Sequence, residues 1–240
     1  MKNKNVKLNY LLPNLFTASS IFVAVISMIN SASGNFEKAA WMIVLSLLFD
    51  GLDGKVARLT KGESKFGVEF DSLADIVAFG VAPALLIYFQ IGKDYGKLGV
   101  LVSALYVVFG AVRLARFNVT TSKNDPNIFI GLPIPAAALT LISLSLLDLE
   151  YNLKILEPTI LVLMLIVAIL KVSNFRYLAF KKMPINKNIS FKVLVALILF
   201  ASLLYLATTQ TLAAFFVVYM LSGPIRAIYA LNRAKKFKRR

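Results

Sequence analysis

The sequence contains no cysteine and no histidine. Without these residues it can form neither a disulfide nor a structural zinc site of the usual kind. The lack of histidine also restricts catalysis, because a general base near neutral pH must then be a carboxylate, a lysine or a tyrosine. Any metal must be bound through oxygen, which favours magnesium, manganese or calcium.

Charged residues are scarce as well. They make up 16% of the 240 residues, while 58% are hydrophobic, and the mean hydropathy is +0.74. In soluble domains about a quarter of the residues are charged, so this composition favours a membrane protein. We therefore predict a single all-α domain over residues 1–240 that forms a polytopic membrane helix bundle. Eight apolar segments indicate about eight spans, with six or seven still possible: 14–30, 38–58, 70–90, 98–118, 132–148, 156–173, 190–207 and 211–230.

The basic residues are distributed unequally between the two ends of these segments. With eight spans, 23 of the 27 Lys and Arg residues fall on one side and four on the other. The positive-inside rule then predicts that both termini are cytoplasmic and that the protein is integral to the cell membrane. The basic tail 232–240 is interpreted as a topology anchor that favours anionic lipid rather than nucleic acid. A cleaved signal peptide at the first segment is an alternative, but the polar "PNLFTASS" favours a retained helix.

Negative charge is concentrated in one place. Six of the twelve carboxylates lie between residues 50 and 75. Asp50 and Asp53, at i and i+3, end one apolar run and share a helix face. Asp71 and Asp75, at i and i+4, open the next run and also share a face. Two adjacent antiparallel helices would therefore bring four carboxylates together at the cytoplasmic end.

Four neighbouring carboxylates cannot all ionise without a cation. Two divalent metals about 3.5–4 Å apart would balance them and suit an in-line phosphoryl displacement. Gly54 and Ala57 lie on the same stripe as the first carboxylate pair and leave room for a ligand, while Arg58 and Lys61 offer positive charge to phosphate. The alternative is that these carboxylates are helix caps and loop charges, which is most plausible for Asp71.

The spacing D-x-x-D-G-x-x-A-R-x8-G-x3-D-x3-D resembles the signature of the CDP-alcohol phosphotransferase family of membrane enzymes. That resemblance implies transfer of a substituted phosphate from a CDP-linked donor to an alcohol, with release of CMP and a requirement for two Mg²⁺ or Mn²⁺ ions. It also implies a base at Asp75 and a homodimer. The remaining implied roles are metal ligation by Asp50, Asp53, Asp71 and Asp75, nucleotide packing by Gly54, Ala57 and Gly67, and phosphate support by Arg58.

Further stretches are similar to the bacterial and archaeal phosphatidylserine synthases of that family: "PNLFT", "FGVEFDSLADIVAFGVAPA", "RLARFN", "GLPIPAAA" and "VSNFRYLAFK". This similarity implies CDP-diacylglycerol as the donor and L-serine as the acceptor. Arg113 and Arg116, beside Asn118, would offer donors to the serine carboxylate; membrane anchoring or lipid-phosphate binding is the alternative. Asn14 and Thr17 would contact the nucleotide, unless they only start a helix after a proline.

Other interpretations remain for this chain. "GLPIPAAA" predicts a bent or broken helix entry without chemistry, and Arg176 and Lys181 are either near lipid phosphate or anchors. The same enzyme chemistry with glycerol-3-phosphate or inositol phosphate as acceptor is open, although such acceptors favour a pocket richer in cations. A cation-coupled transporter would also use intramembrane carboxylates, but here the carboxylates cluster at one membrane face.

Overall fold

The computed structural model describes residues 4–60, 62, 64–120, 128–153, 157–178 and 187–238. Within these ranges, side chains are described from residue 10 to 233, apart from 187–194, 196 and 197. The prediction of an all-α fold is confirmed. The described helices are α1 Lys4–Ala32, α2 Phe36–Thr60, α3 Lys65–Asp75, α4 Ala82–Gln90, α5 Lys97–Thr120, α6 Ile134–Tyr151, α7 Glu157–Val172, α8 Lys187–Leu206 and α9 Thr208–Lys238.

Five stretches of the described chain are helical, long and apolar enough to cross a membrane: Tyr10–Ala32, Lys65–Gln90, Lys97–Thr120, Ile134–Tyr151 and Thr208–Arg233. Two other helices, α2 and α7, depart from that pattern for local reasons. α2 carries Asp50, Asp53 and Lys55 close together, and α7 has only 16 residues. Each predicted apolar segment coincides with a helix or helical rod, whereas the number of membrane crossings stays a prediction.

The starts of three helices decide between the alternatives that the sequence left open. Pro13 lies inside α1, so the helix is not initiated by this proline. α3 begins at Lys65 with Ser64 as its N-cap, so Asp71 lies well inside the helix and is not a capping residue. α6 begins at Ile134, directly after Pro133, which is the interrupted helix entry that "GLPIPAAA" predicts.

Two features were not predicted. A π-helix, Ile76–Val81, joins α3 to α4 in one continuous rod and starts at the residue after Asp75. A short antiparallel pair of strands, β1 Ile128–Ile130 and β2 Arg176–Leu178, has Phe129 opposite Tyr177. The pair lies between the C-terminal ends of α5 and α7 and connects both to α9, because the Tyr177 hydroxyl donates to the Met220 carbonyl over 3.1 Å.

Small polar side chains hold α1 against α2. The hydroxyl groups of Ser20 and Ser46 are 2.7 Å apart, and Ser27 donates to the Ala39 carbonyl over 2.8 Å. Small residues let the two backbones approach closely, and in an apolar environment these hydrogen bonds add to van der Waals packing. The paired helices bring the N-terminal half of α1 beside the C-terminal half of α2, where the carboxylates lie.

Some predicted residues lie outside the described part of the chain. Lys61 and Lys181 are among them, as are the side chains of the basic tail from residue 234 onward. Arg176, in contrast, is described and is exposed on β2. Lys171, one of the 23 basic residues counted on the cytoplasmic side, is a correction to the loop-anchor interpretation, because it lies inside α7 and its side chain is fully buried.

Candidate active site

The four carboxylates of the motif are gathered by α2 and α3. Ligand oxygens of Asp50, Asp53 and Asp71 all lie within 4.8 Å of one another. The carboxyl group of Asp75 lies close enough to the other three to interact with them electrostatically. Carboxylates this close repel one another when they are ionised, and a bound cation would balance their charge.

α1 adds a hydroxyl group to this cluster. Thr17 is buried and donates to Asp53 Oδ2 over 2.7 Å. This hydrogen bond orients a buried carboxylate, as the outer partners of metal ligands commonly do. The donors available in the cluster are all oxygens, and the acids are at most half exposed. These residues fit a hard divalent cation such as Mg²⁺ or Mn²⁺.

A cleft of about 180 Å³ opens beside Asp53 and Asp71. Gly54 faces it with room to spare, because a Cβ built there would meet only Arg58 Nη1 at 3.6 Å. Gly67 is tighter, since a Cβ there would lie 3.3 Å from Asn14 Oδ1. The cleft is lined by Pro13, Asn14, Thr17, Asp53, Gly54, Ala57, Arg58, Gly62, Ser64, Gly67, Val68 and Asp71.

The cleft therefore brings together all six residues that were predicted to contact the nucleotide or its phosphates. Arg58 is exposed and lines it from α2, which leaves the guanidinium accessible to an anion. Ser64 was not predicted. Its side chain accepts from the Gly67 backbone N–H over 2.9 Å and so fixes the start of α3. Serine is a preferred N-cap residue, and its position just before the helix that carries Asp71 and Asp75 is the signal that could have found it.

Arg113 approaches the cluster from α5. Its side chain is buried, lies close enough to Asp75 for mutual attraction, and stacks over the Phe117 ring at 5.3 Å. Among the described residues, its buried Nε has no hydrogen-bond partner. An unsatisfied charged donor is costly inside a protein. Arg113 is therefore a group that an incoming anion would satisfy.

Arg116 and Asn118 are not placed with Arg113 in one fork. The guanidinium of Arg116 donates to the carbonyls of Val172 at 2.9 Å and Ser173 at 3.1 Å. It also reaches the carbonyls of Lys171 and Ile130, both at 3.3 Å. These bonds join α5 to the end of α7. Asn118 is exposed on the other side of α5 and donates to Ser72 Oγ over 3.0 Å.

A larger groove, of about 740 Å³, lies elsewhere. It runs along α9 beside Leu178 and Phe200 and contains no carboxylate. Its apolar lining faces the outside of the bundle. The chemistry of the carboxylate cluster therefore belongs to the smaller cleft.

Similarity to known proteins identifies the protein family to which this site belongs. The sequence model of the CDP-alcohol phosphatidyltransferase family matches residues 10–170, a stretch that contains the whole cluster and cleft. The chain belongs to this family, as its motif predicted.

Individual relatives agree with that assignment. CDP-diacylglycerol–serine O-phosphatidyltransferase of Helicobacter pylori strain J99 is 48% identical over 224 residues, which cover 92% of this chain and 93% of the relative. Archaetidylserine synthase of Methanothermobacter thermautotrophicus is 37% identical over 179 residues, 74% of this chain and 73% of the relative. CDP-diacylglycerol–serine O-phosphatidyltransferase of Methanocaldococcus jannaschii is 36% identical over 158 residues, 66% of this chain and 72% of the relative.

Proposed function

We propose that this chain transfers the phosphatidyl group of CDP-diacylglycerol to the hydroxyl group of L-serine, giving phosphatidylserine and CMP. The observation that carries the proposal is the carboxylate cluster of α2 and α3, which lies between a cleft lined by small residues and a buried arginine. Relatives that cover almost the whole chain are named for transfer to serine, and this supports the choice of acceptor.

The carboxylates of Asp50, Asp53, Asp71 and Asp75 would hold two divalent cations, Mg²⁺ or Mn²⁺. When bound, the cations neutralise phosphate charge and stabilise the attacking and leaving oxygens. Asp53 is held in place by Thr17, so the protein supplies an ordered carboxylate rather than a mobile one. This order is what a metal site needs to keep its ligands within productive geometry.

Asp75 is proposed as the general base. It lies close to both the carboxylate cluster and Arg113, so it would face the donor phosphate on one side and the acceptor on the other. It would take the proton of the serine hydroxyl as the oxygen forms a bond to the phosphorus next to diacylglycerol. The bond from that phosphorus to the CMP oxygen breaks, and CMP leaves with the electron pair. No oxidant, reductant or covalent enzyme intermediate is needed for this balance.

The cleft would receive the cytidine diphosphate. Gly54, Ala57 and Gly67 allow close packing of the nucleotide, and Arg58 offers donors to its phosphates. Asn14 and Thr17 line the same cleft from α1. Because Thr17 also donates to Asp53, nucleotide binding and the metal site share one side chain.

Arg113 is the strongest of the three proposed acceptor contacts. It is next to Asp75 and retains an unsatisfied donor, so a serine carboxylate could bind there while the hydroxyl faces the base. Arg116 is occupied by backbone carbonyls and Asn118 by Ser72. Their proposed contribution is therefore to shape the end of α5, and direct contact with serine rests on Arg113.

The membrane arrangement completes the proposal. The apolar helices and the family indicate an integral membrane protein, and the unequal charge distribution supports a cytoplasmic position for both termini and for the active site. The acyl chains of the donor would remain in the bilayer. A homodimer is proposed from the family resemblance alone.

Acceptor competition tests the function. Purified protein with CDP-diacylglycerol and Mg²⁺ or Mn²⁺ is expected to release CMP with L-serine and not with glycerol-3-phosphate or inositol phosphate. Release only with a phosphorylated acceptor would preserve the family chemistry and overturn the serine assignment. Absence of CMP with every acceptor would favour the cation-coupled transporter.

A further inference from the structure

The π-helix Ile76–Val81 begins at the residue after Asp75, the proposed base. The Ala82 N–H donates to the Val77 carbonyl, five residues back instead of four. A turn of this kind holds one more residue than an α-helical turn and often lies at a functional site. Each residue of an α-helix turns the chain by about 100°. The π-helix therefore sets how α3, which carries Asp75, is rotated relative to α4.

A proline lies directly behind this wide turn. Pro83 is in the first turn of α4. In a continuous α-helix the N–H of residue 83 would donate to the Phe79 carbonyl, but proline has no N–H and its ring clashes with that carbonyl. A wider turn relieves the clash. Phe79 is fully buried, so its carbonyl needs a donor from elsewhere in the protein.

Tyr106 of α5 supplies that donor. Its side chain is fully buried, and its hydroxyl donates to the Phe79 carbonyl over 3.1 Å. Gly110 lies one turn further along the same face of α5. A Cβ there would come within 3.2 Å of Ile76 Cδ1, so the glycine lets α5 approach the π-helix closely. Lys171 of α7 donates to the Tyr106 carbonyl over 2.9 Å, which holds the tyrosine from the other side.

α4 and α3 differ in how firmly the core holds them. Five of the nine residues of α4 are buried, whereas α3, all of which is described, buries Ala74 alone. A change in the π-helix would therefore move α3 rather than α4. Asp75 lies one turn after Asp71 and shares its helix face, and Asp71 has an oxygen within 4.8 Å of the other cluster oxygens. Rotation of α3 would thus turn the Asp75 carboxyl away from the cluster.

We propose that Tyr106 is a positioning residue for Asp75: its hydroxyl takes the place of the N–H that Pro83 lacks and holds the π-helix that directs the Asp75 carboxyl toward the cluster. This inference rests on the proposed role of Asp75 as the base and extends it to a residue that does not touch the substrate. A displacement of about 1 Å at a reacting group can slow a reaction by about 10²-fold. The hydroxyl would therefore act on the rate of the chemical step.

Tyr106→Phe tests the inference, because it removes the hydroxyl and keeps the ring and the main-chain carbonyl. Tyr177→Phe is the matched control: Tyr177 is also fully buried, and its hydroxyl donates to the Met220 carbonyl over the same 3.1 Å. Both variants should lower Tm by a similar amount, roughly 2–4 °C. With CDP-diacylglycerol and L-serine, kcat should fall by about 10–100-fold in Tyr106→Phe and by less than about twofold in Tyr177→Phe. KM for CDP-diacylglycerol should stay nearly unchanged in both.

A second background separates positioning from a general loss of packing. Where the Asp75 carboxylate is already absent, its direction no longer affects the rate. Tyr106→Phe added to Asp75→Asn should therefore lower the residual kcat by less than about twofold, since the two changes act on one group. A further loss of about tenfold in the double variant would overturn the inference, as would equal kcat values in Tyr106→Phe and Tyr177→Phe.

Pro83→Ala tests the cause by stability alone. It restores an N–H that can donate to the Phe79 carbonyl. Tyr106→Phe should then lower Tm by no more than about half as much as it does in the wild-type protein. An equal fall in both backgrounds would overturn the exchange of hydroxyl for N–H. If the wild-type protein releases no CMP with any acceptor, the proposed function fails as well, which is distinguishable from an active wild type whose tyrosine variants behave alike.

Discussion

Gly54 has room for a methyl group that the protein itself does not fill. Glycine inside a helix costs about 0.5–1 kcal/mol relative to alanine, and a Cβ here would meet only Arg58 at 3.6 Å. Packing within the chain therefore does not explain the glycine. The proposed nucleotide, packed against the backbone at Gly54, would explain it.

For this reason Gly54→Ala should leave the protein as stable as before or slightly more stable, while KM for CDP-diacylglycerol rises by about tenfold or more. Gly51→Ala is the matched control, because Gly51 lies on the same helix, is exposed and also has open space around its Cβ position. Thermal melting in detergent and initial rates check both variants. Equal KM values in the two variants would contradict a nucleotide packed on Gly54.

Thr17 gives a second test at this scale. Thr17→Val removes the hydrogen bond to Asp53 with little change in shape. The concentration of Mn²⁺ that gives half-maximal activity should rise by about tenfold, and kcat at saturating Mn²⁺ should be affected less. Ser19→Ala on the same helix removes only a bond to the Leu15 carbonyl and should leave the Mn²⁺ dependence unchanged. A Thr17→Val protein with wild-type Mn²⁺ dependence would show that the hydroxyl does not support the metal site.

Whether the position of a single residue could be predicted from the sequence depended on its spacing from its partners along the helix. Asp50 and Asp53, then Asp71 and Asp75, could be placed on common helix faces from sequence, because i, i+3 and i, i+4 positions are fixed by helix geometry. Lys171 could not be found in this way. A lysine at the end of an apolar segment is usually an interfacial anchor, and only the tertiary contact with Tyr106 shows that this one is buried.

At the scale of elements, Arg116 joins α5 to the end of α7. Its guanidinium donates to several carbonyls that α7 and β1 leave without helix partners. A lysine has one compact donor group and cannot reach them all. This function is structural, and it separates Arg116 from Arg113 although the two are three residues apart.

Arg116→Lys should accordingly lower stability by about 2 kcal/mol, a fall of about 4–8 °C in Tm, with KM for serine little changed. Arg113→Lys should show the opposite pattern, a raised KM for serine with a smaller change in Tm. Melting curves and serine titrations of the two variants side by side provide the measurement. A higher serine KM in Arg116→Lys than in Arg113→Lys would reverse these assignments.

The order of the helices was accessible from sequence, but their irregularities were not. Hydropathy located each apolar segment, because burial in a membrane needs long apolar runs. The π-helix Ile76–Val81 has no comparable signal, since its extra residue per turn is accommodated by tertiary packing. The strands at Ile128–Ile130 and Arg176–Leu178 are too short for a hydrophobic period to show, and they form because the ends of α5 and α7 bring them together.

At the scale of the whole molecule, the absence of cysteine makes membrane orientation directly measurable. A single cysteine placed at Ser33, in the turn after α1, should react with a membrane-impermeant maleimide in intact cells. One placed at Asn232, at the exposed end of α9, should react only after permeabilisation. The expected difference follows from the unequal distribution of basic residues. Labelling of Asn232→Cys in intact cells would contradict a cytoplasmic C-terminus and, with it, the side proposed for the active site.

The carboxylate cluster is proposed to transfer a phosphatidyl group to serine with Asp75 as the base. The most direct test is the stoichiometry of CMP and phosphatidylserine formed by purified protein from CDP-diacylglycerol and labelled L-serine, with Mg²⁺ or Mn²⁺ present. Equal amounts of the two products are expected. Asp75→Asn should reduce both by about 10²–10⁴-fold, whereas Asp94→Asn, an exposed change at the far end of the α3–α4 rod, should not. CMP formed without phosphatidylserine, or full activity in Asp75→Asn, would contradict the claim.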